Sequence, residues 1–223
     1  MHTVLNIRNK FMDLLSEKNF TIDKTGVKTV EIIGESFLVD EDKIFGTVNW
    51  DYVQREFEWY LSQSLSVYDI PNTPKIWTQI CDKDGMINSN YGWCIFSKEN
   101  GEQYKHCLEQ LKESYDSRRA MMIYTRPSMQ TDYNKNGMSD FMCTNSVQCL
   151  IRNHTLYYII NQRSCDAIFG WKNDIQWHKW VCNKLLTDLH LTNSKIIHQV
   201  GSLHIYERHF YLIDPINYSK PSC

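Results

Sequence analysis

Two long runs of β-branched and aromatic residues, separated by only two residues, constrain the fold more than any other feature. Residues 141–152 and residues 155–164 are both predicted to be strands, and Asn153-His154 lies between them. Strand-like runs this close in sequence pair as a hairpin. The chain is therefore expected to contain a β-sheet with an antiparallel pair in its second half.

Other patterns place helices as well as strands along the chain. Gly34 interrupts a β-branched run, which indicates a strand with a bulge or turn, and Asn49 is suited to cap a helix. Helices are predicted at 4–18, 49–64, 99–112 and 173–189, further strands at 28–40, 119–125 and 199–213, and loops at 70–77 and 126–140. The sequence contains no repeat, low-complexity tract or linker. These patterns predict one α+β domain over residues 1–223.

The charge balance argues against several classes of partner. The 223 residues carry 24 Lys plus Arg and 26 Asp plus Glu, whereas proteins that bind duplex DNA or acidic membranes usually carry a basic excess. No apolar run reaches the roughly 18 residues that span a bilayer, and the N-terminus lacks the apolar segment of a signal peptide. We therefore expect no direct binding to nucleic acid or membrane.

The eight cysteines raise the question of disulfides and metal sites. With no secretion signal in the sequence, free thiols in a reducing cytoplasm are the expected state. The sequence has no Cys-x-x-Cys pair, and its calcium-like run from Asp132 to Gly137 has Cys143 where such a loop requires Glu. We therefore expect no metal ion.

Helical spacing places Glu56 between Val53 and Tyr60 on the apolar face of the helix predicted at 49–64. A carboxylate there must be paired, protonated or functional, because an isolated buried charge is very costly. A slight rotation of the helix would instead leave Glu56 at the boundary with solvent. The residue pattern leaves both alternatives open.

Two further groups of polar side chains are candidate site residues. Ser202, His204 and Tyr206 alternate with apolar residues in the last predicted strand, so they share one face, which is either solvent-exposed or the wall of a polar pocket. Cys143 and Arg163 lie on the two strands of the predicted hairpin. An arginine near a thiol lowers the pKa of the thiol and favours the nucleophilic thiolate, which makes a thiol enzyme plausible.

A third group is Ser117-Arg118-Arg119. Paired arginines beside a serine suit a phosphate or a carboxylate, because the guanidinium fork and the hydroxyl all donate hydrogen bonds. A solvated charge pair at the start of a strand is the alternative interpretation.

Five segments resemble the thymidylate synthase superfamily and occur in the family's order. They are Glu56 with Trp59, the stretch from Ile76-Trp77 to Tyr91-Gly92, Ser117-Arg118-Arg119, QRSCDAIFG at 162–170, and the strand from Gly201 to Tyr206. The resemblance covers about Lys24 to about Ile213. Within the superfamily, stretches such as DKTGVKT, INSNYGW and GSLHIYERHFYLI are most similar to the deoxycytidylate (dCMP) hydroxymethylases of T-even bacteriophages. The resemblance implies a twisted, mostly β-sheet core covered by helices, with a sheet face forming a dimer interface.

The resemblance also implies one-carbon chemistry at Cys143, which matches the family's nucleophile. Its thiolate would add to C6 of a pyrimidine, so that C5 accepts a one-carbon unit from 5,10-methylenetetrahydrofolate. For the nucleotide, matched positions imply phosphate binding by Lys24, Arg163 and Ser164, phosphate binding in the partner subunit's site by Arg118 and Arg119, and deoxyribose binding by His204 and Tyr206. For the folate, they imply pterin binding by Asp166 and packing of the rings by Trp77, Phe169 and Gly170. Shared sites of this kind imply a homodimer.

Asp174 stands where thymidylate synthases carry the Asn that reads uracil. A carboxylate accepts a hydrogen bond from N4 of cytosine but repels O4 of uracil, so the resemblance implies dCMP as the substrate. Glu56 resembles the residue that orders water in the site, and Thr144 replaces the usual His beside the nucleophile. These matches imply hydration of the transferred carbon, giving 5-hydroxymethyl-dCMP and tetrahydrofolate in the cytoplasm of an infected cell.

Two alternatives to a hydroxymethylase are kept. A dCMP or dUMP methylase of the same fold would complete the reaction with a hydride from folate instead of water. A catalytically silent binding protein would retain the scaffold and tolerate loss of Cys143. The resemblance also allows contacts with other nucleotide-synthesis enzymes of a phage.

Overall fold

The structure is a computed structural model that describes residues 1–22 and 26–220. Helices and strands are interspersed along the described chain. In order, they are α1 (Val4–Ser16), β1 (Thr21–Ile22), β2 (Lys28–Leu38), α2 (Trp50–Ser62), α3 (Lys75–Ile80), α4 (Tyr91–Phe96), α5 (Gln103–Glu113), β3 (Met121–Ile123), α6 (Met129–Asp132), β4 (Thr144–Arg152), β5 (Thr155–Asp166), α7 (Gly170–Asp188) and β6 (Asn193–Tyr206). Short 3₁₀ turns lie at Val67–Asp69, Lys135–Gly137 and Glu207–Leu212.

One six-stranded sheet organises these elements, with strand order β1-β2-β6-β5-β4-β3. All neighbours pair antiparallel except β5 and β6, which are parallel. A parallel pair requires a long crossover, and α7 supplies it. Helices and a mixed sheet together confirm the predicted α+β fold.

The predicted hairpin is present between β4 and β5. Arg152 lies opposite Thr155, and Asn153 and His154 adopt positive φ angles of 50° and 56°, as a two-residue hairpin turn requires. From Leu156 to Gln162, alternate residues of β5 are buried beneath the helices, and those between them are half-buried on the other face of the sheet. This alternation gives the sheet one core face and one face covered only in part by the chain itself.

A glycine allows α2 and α4 to approach closely beside the core. A Cβ atom at Gly92 would lie 1.8 Å from the carbonyl oxygen of Tyr60, which is shorter than any non-bonded contact. The approach stacks the rings of Tyr60 and Tyr91, with centroids 5.3 Å apart and an interplanar angle of 12°. Both tyrosines thereby reach the floor of the site described below.

Several predicted element boundaries were wrong. Helix α5 begins at Gln103 and not at residue 99, because Gly101 and Glu102 adopt left-handed φ angles of 84° and 44°. Strand β6 begins at Asn193 and ends at Tyr206, whereas the sequence predicted 199–213. Its early residues are exposed or half-buried, so they lack the alternation on which the prediction depended.

Two further segments also differ from prediction. Strand β3 is shorter than 119–125 and is an edge strand, with Met121 and Ile123 exposed and only Met122 buried. The predicted loops at 70–77 and 126–140 contain the start of α3 and all of α6. In the first case the helix begins directly after Pro74, which has no N–H to leave unbonded at a helix start. None of the described helices combines the length and apolar character needed to cross a bilayer.

Candidate active site

A cavity of about 340 Å³ brings together residues that are far apart in sequence. It lies where α2, α3, α4 and α7 meet the strand ends at Cys143 and Asp166. Its lining includes Tyr52, Glu56, Tyr60, Trp77, Ser89, Tyr91, Asp140, Phe141, Cys143, Asp166, Phe169, Gly170, Asn173 and Asp174. The three predicted catalytic residues, Cys143, Glu56 and Asp174, therefore share one cavity.

Cys143 is half-buried and directly precedes β4. The guanidinium of Arg163 is held nearby, because its Nε donates to the carbonyl of Met142 at 3.0 Å and its Nη2 to the carbonyl of Phe141 at 2.5 Å. From there Nη2 lies 4.0 Å from Sγ of Cys143. The backbone around the nucleophile thus positions the cation that the sequence placed near it.

The net effect on the thiol is opposite to the one predicted. Burial and the carboxylate of Asp174 raise the pKa of Cys143 to about 11, and Arg163 opposes them only in part. A guanidinium at 4.0 Å stabilises a thiolate less than desolvation and a nearby like charge destabilise it. The thiol is therefore neutral in the ligand-free cavity.

Glu56 is buried, with 3% of its surface exposed, which settles the two alternatives left by the sequence. Trp77 Nε1 donates to Tyr52 Oη at 3.1 Å, and Tyr52 Oη donates to Glu56 Oε1 at 2.6 Å. An indole N–H can only donate, so Trp77 directs the hydroxyl hydrogen of Tyr52 toward the carboxyl group. Burial raises the pKa of Glu56 to about 8.

Asp174 lies in the first turns of α7 and faces the same cavity. Gln162 Nε2 donates to its Oδ2 at 2.9 Å, and Tyr91 also hydrogen-bonds the carboxyl group. These donors oppose the effect of burial, which raises the pKa of Asp174 to about 7. The site thus holds two carboxyl groups whose protonation states change near neutral pH, a property common in acid–base catalysis.

The buried state of Glu56 predicts a pH-dependent effect on stability. Its folded-state pKa of about 8 lies above that of an exposed glutamate, about 4.3, so the folded protein holds a proton that the unfolded chain releases. The stability that this retained proton gives the folded state is fully present below about pH 4 and is lost as the pH rises through about 8. We expect the melting temperature of Glu56→Gln, relative to wild type, to increase as the pH is raised across this window, measured by differential scanning calorimetry.

The control for this prediction is Glu58→Gln on the same helix. Glu58 is exposed and only accepts a hydrogen bond from Gln54, at 3.1 Å. Its melting temperature should follow that of wild type at every pH. Parallel curves for Glu56→Gln and wild type would contradict a raised pKa at Glu56.

His204 and Tyr206 line a second cavity of about 260 Å³, together with Glu31 and Ser202. It adjoins the first through the parallel strands, because His204 pairs with Asp166. Gly201 allows this approach, since a Cβ atom there would lie 2.8 Å from the carbonyl oxygen of Arg163. The polar face of β6 is therefore a pocket wall and not an open solvent face.

The structure places only some of the predicted phosphate ligands near the cavities. Arg163 and Ser164 lie near the end of β5 without lining either cavity, but Arg163 approaches Cys143 in the first cavity and Ser164 pairs with Ser202 in the second. Arg118 and Arg119 are exposed before β3 and line neither cavity of the same chain. Lys24 lies outside the described residues. The geometry of one chain thus brings Arg163 and Ser164 to the site and leaves Arg118 and Arg119 on the surface.

The four predicted folate ligands all line the first cavity. Asp166 accepts from the backbone N–H groups of Ile168 and Phe169 through Oδ1, at 2.8 and 3.3 Å. Phe169 remains 48% exposed at the mouth. Asn173 adds a buried Oδ1 for which the described residues offer no hydrogen-bond donor. An apolar mouth leading to unsatisfied polar atoms suits a flat, polar heterocycle such as a pterin.

Several residues of the site were not singled out from sequence. Tyr52 could have been found, because it lies four positions before Glu56 and so on the same helix face. Tyr91 and Gln162 lie within the family motifs but were given no role. His198, which bonds Gln162 behind the cavity, had no signal in the sequence, because the predicted strand began one residue after it. Among the described residues, no group of three or more His, Cys, Asp or Glu side chains is arranged to hold a metal ion, and the seven described cysteines are free.

Comparison with known proteins agrees with this geometry. The family model described as thymidylate synthase matches residues 8–217. Proteins named deoxycytidylate 5-hydroxymethyltransferase from enterobacteria phages T4 and T2 are each 56% identical over 220 residues, covering 95% of this chain and 89% of theirs. A thymidylate synthase of Francisella tularensis is 26% identical over 203 residues, covering 84% of this chain and 74% of its own.

The fold comparison gives the same result. The solved structure of thermostable thymidylate synthase A from Bacillus subtilis superposes with a TM-score of 0.70 at 20% identity, covering 96% of this chain and 83% of that one. Five motifs in family order, a shared fold, and a family model that spans nearly the whole sequence agree with one another. The chain belongs to the thymidylate synthase family.

Proposed function

We propose that this chain is a deoxycytidylate 5-hydroxymethyltransferase, the activity named for its phage relatives. It transfers a one-carbon unit to C5 of dCMP and hydrates it, giving 5-hydroxymethyl-dCMP and tetrahydrofolate. The observation that carries the proposal is the single cavity shared by a thiol, Cys143, and two carboxyl groups, half-buried Asp174 and buried Glu56. Each of the three has a separate role.

Cys143 acts as the nucleophile at C6 of the pyrimidine. Its pKa of about 11 is held up partly by the charge of Asp174, while Arg163 acts in the opposite direction. When Asp174 is engaged by the N4 amino group of cytosine, its repulsion of the thiolate falls and the effect of Arg163 remains. Binding of the correct base thereby favours the reactive thiolate.

Asp174 selects the base. A carboxylate oxygen accepts a hydrogen bond from N4 of cytosine, whereas O4 of uracil would face it as a second acceptor. A buried mismatch of this kind leaves two polar groups unpaired, which makes discrimination large. Asp174 lines the cavity in which the base would lie, and Gln162 donates to its Oδ2.

Glu56 positions the attacking water. Its pKa of about 8 allows it to accept a proton from water and return it at near-neutral pH. Tyr52 and Tyr60 both hydrogen-bond the carboxyl group, which lines the cavity where the attacking water would lie. Thr144 adds a small hydroxyl group next to Cys143, and this hydroxyl donates to Tyr91 Oη at 3.0 Å.

The co-substrate 5,10-methylenetetrahydrofolate supplies the one-carbon unit. Trp77, Phe169 and Gly170 would pack against its rings, and Asp166 would hydrogen-bond the pterin. His204 and Tyr206 hold the deoxyribose hydroxyl, while Arg163, Ser164 and Lys24 bind the phosphate. The free Oδ1 of Asn173 supports this assignment, because a bound heterocycle would provide its missing donor.

We further propose one catalytic domain over residues 1–223 that works as a homodimer, with Arg118 and Arg119 reaching the partner subunit's phosphate. The half-covered sheet face supports this arrangement, since Ile33 on β2 is 78% exposed. An apolar side chain exposed on a sheet face is typical of an association surface. No metal ion takes part, and the enzyme acts in the cytoplasm of a phage-infected cell, where other nucleotide-synthesis enzymes could contact it.

The test is a product analysis with dCMP and 5,10-methylenetetrahydrofolate. We expect 5-hydroxymethyl-dCMP by mass spectrometry and no rise in dihydrofolate absorbance, because water and not hydride completes the reaction. A parallel reaction with dUMP controls for base preference. Formation of 5-methyl-dCMP with stoichiometric dihydrofolate would establish the methylase alternative instead.

A further inference from the structure

A chain of hydrogen bonds leads through the core to the carboxyl group that reads the base. Trp171 Nε1 bonds His198 Nδ1 at 3.1 Å, and His198 Nε2 bonds Gln162 Oε1 at 2.7 Å. Gln162 Nε2 then bonds Asp174 Oδ2 at 2.9 Å. We call these four residues the indole relay. Trp171 and His198 are each 1% exposed, and neither lines the cavity that holds Cys143.

The direction of every bond in the indole relay is fixed by its first donor. An indole N–H can only donate, so Nδ1 of His198 must accept. Burial lowers the pKa of His198 to about 3, so its ring is neutral and carries one hydrogen, which is then on Nε2. That hydrogen requires the carbonyl oxygen of Gln162 to face His198. The amide hydrogens of Gln162 are consequently directed at Asp174.

The amide of Gln162 has no favourable second orientation. Its Nε2 also donates to Thr144 Oγ1 at 3.1 Å, so both of its hydrogens are used. A flipped amide would place its oxygen against the carboxyl group of Asp174 and its hydrogens against the N–H of His198. The space between these side chains is too small for a water molecule, so solvent cannot bridge a broken link.

The ring of His198 is also held by packing. The ring of Phe37 on β2 contacts it edge-on, with centroids 5.2 Å apart. Rotation of the imidazole is therefore opposed by both a hydrogen bond and a ring contact. Because the ring of His198 is held in one orientation, it can determine whether Gln162 turns its carbonyl oxygen or its amide hydrogens toward Asp174.

We propose that His198, oriented by Trp171, is a positioning residue for base selection, fixing Gln162 as a donor to Asp174 so that this carboxylate faces the base only as an acceptor. The inference rests on the proposed function, since Asp174 must read cytosine for its orientation to matter. His198 touches neither nucleotide nor folate. It acts only through Gln162.

His198→Phe tests the proposal, because it keeps an aromatic ring in the core and removes the N–H. Gln162 is then free to turn its carbonyl oxygen toward Asp174. Only a protonated carboxyl group of Asp174 can donate a hydrogen bond to that oxygen. We expect the ratio of kcat/KM for dCMP to kcat/KM for dUMP to fall about ten- to a hundredfold. His198→Gln supplies a donor again, and should recover most of that ratio.

Trp171→Phe tests the outer link. It removes the donor that fixes the tautomer of His198, so the ratio should fall in the same direction but less. The double variant with His198→Phe should lose no more than His198→Phe alone, because both changes break one series of bonds. His178→Phe is the matched control, since His178 is equally buried and neutral, bonds Tyr158 at 3.2 Å and Thr144 at 3.5 Å, and reaches Gln162 only indirectly through Thr144, so that His198 still orients the Gln162 amide. It should leave the ratio unchanged.

The dissociation constants of dCMP and dUMP, measured by isothermal titration calorimetry, give a second measure of base preference that does not depend on turnover. A fall in the ratio in both His198→Phe and Trp171→Phe supports the inference. An unchanged ratio in both of these variants, or an equal fall in His178→Phe, overturns the inference. Turnover of dCMP by the wild-type protein would still leave the proposed function standing. Absence of dCMP turnover by the wild-type protein overturns the proposed function itself, and the inference with it. Should His198→Phe fail to fold, a fall in the ratio in Trp171→Phe supports the inference and an unchanged ratio there overturns it.

Discussion

Replacing Cys143 with alanine is expected to abolish formation of 5-hydroxymethyl-dCMP, with a loss of kcat on the order of 10⁴-fold or more, as for other enzymes that lose a nucleophile. No neighbouring group can substitute, because the carboxyl groups of Asp174 and Glu56 are much weaker nucleophiles toward C6. Turnover would be followed by quantifying the nucleotide product. Binding of dCMP should persist, because Asp174, Arg163 and the sugar wall, formed by His204 and Tyr206, are unchanged.

Covalent trapping sharpens this prediction. With 5-fluoro-dCMP and 5,10-methylenetetrahydrofolate, the wild-type protein should gain the combined mass of both in denaturing mass spectrometry, and Cys143→Ala should gain none. Cys81→Ala is the control, since Cys81 is also a partly exposed thiol but lies outside the cavity lining. Unchanged turnover in Cys143→Ala would show that the chemistry does not use this thiol, whereas a wild-type protein with neither turnover nor a trapped complex would favour the catalytically silent binding protein.

Asp174→Asn is expected to reverse the base preference from dCMP to dUMP. Gln162 presents an N–H to this position, so the oxygen of the new amide should turn toward Gln162 and its NH₂ toward the base. That NH₂ donates to O4 of uracil and opposes the N4 amino group of cytosine. We expect the ratio of kcat/KM for dCMP to that for dUMP to fall by a factor on the order of 10³ to 10⁵, the range seen when a buried site loses a matched hydrogen bond.

The preference is measured by competition between the two nucleotides in one reaction. Asp188→Asn provides a matched control, because Asp188 ends the same helix and its side chain bonds Tyr104 and Lys184, away from the cavity that Asp174 lines. It should leave the preference as in wild type. If Asp174→Asn kept its preference for dCMP, another residue of the cavity would have to read the base.

The sheet was largely predictable because most of its strands carry their own signal. Residues on β4 and β5 alternate between the two faces, and the Asn153-His154 turn is local. The start of β6 was missed for a physical reason. Ser194 and Lys195 are exposed although they pair with β5, so only the parallel pairing, which depends on tertiary structure, makes them a strand.

The site was predictable where a residue type carries its chemistry on one element. Cys143, Asp174 and buried Glu56 are of this kind, and the structure places them in one cavity. The pKa of Cys143 was not predictable, because it depends on how α7 brings Asp174 close to a thiol 31 positions earlier. The indole relay was missed for the same reason, since Trp171 and His198 meet only through the crossover.

That crossover also determines when the site can form. Strands β5 and β6 are parallel and are joined by α7, so the Asp166–His204 pairing closes a long loop of chain. Contacts of such high sequence separation form slowly and require the whole intervening segment. A nascent polypeptide still lacking β6 carries the nucleophile and both carboxyl groups, but it has neither the sugar wall nor His198. We therefore expect a chain that lacks β6 to be inactive although it contains Cys143, Asp174 and Glu56.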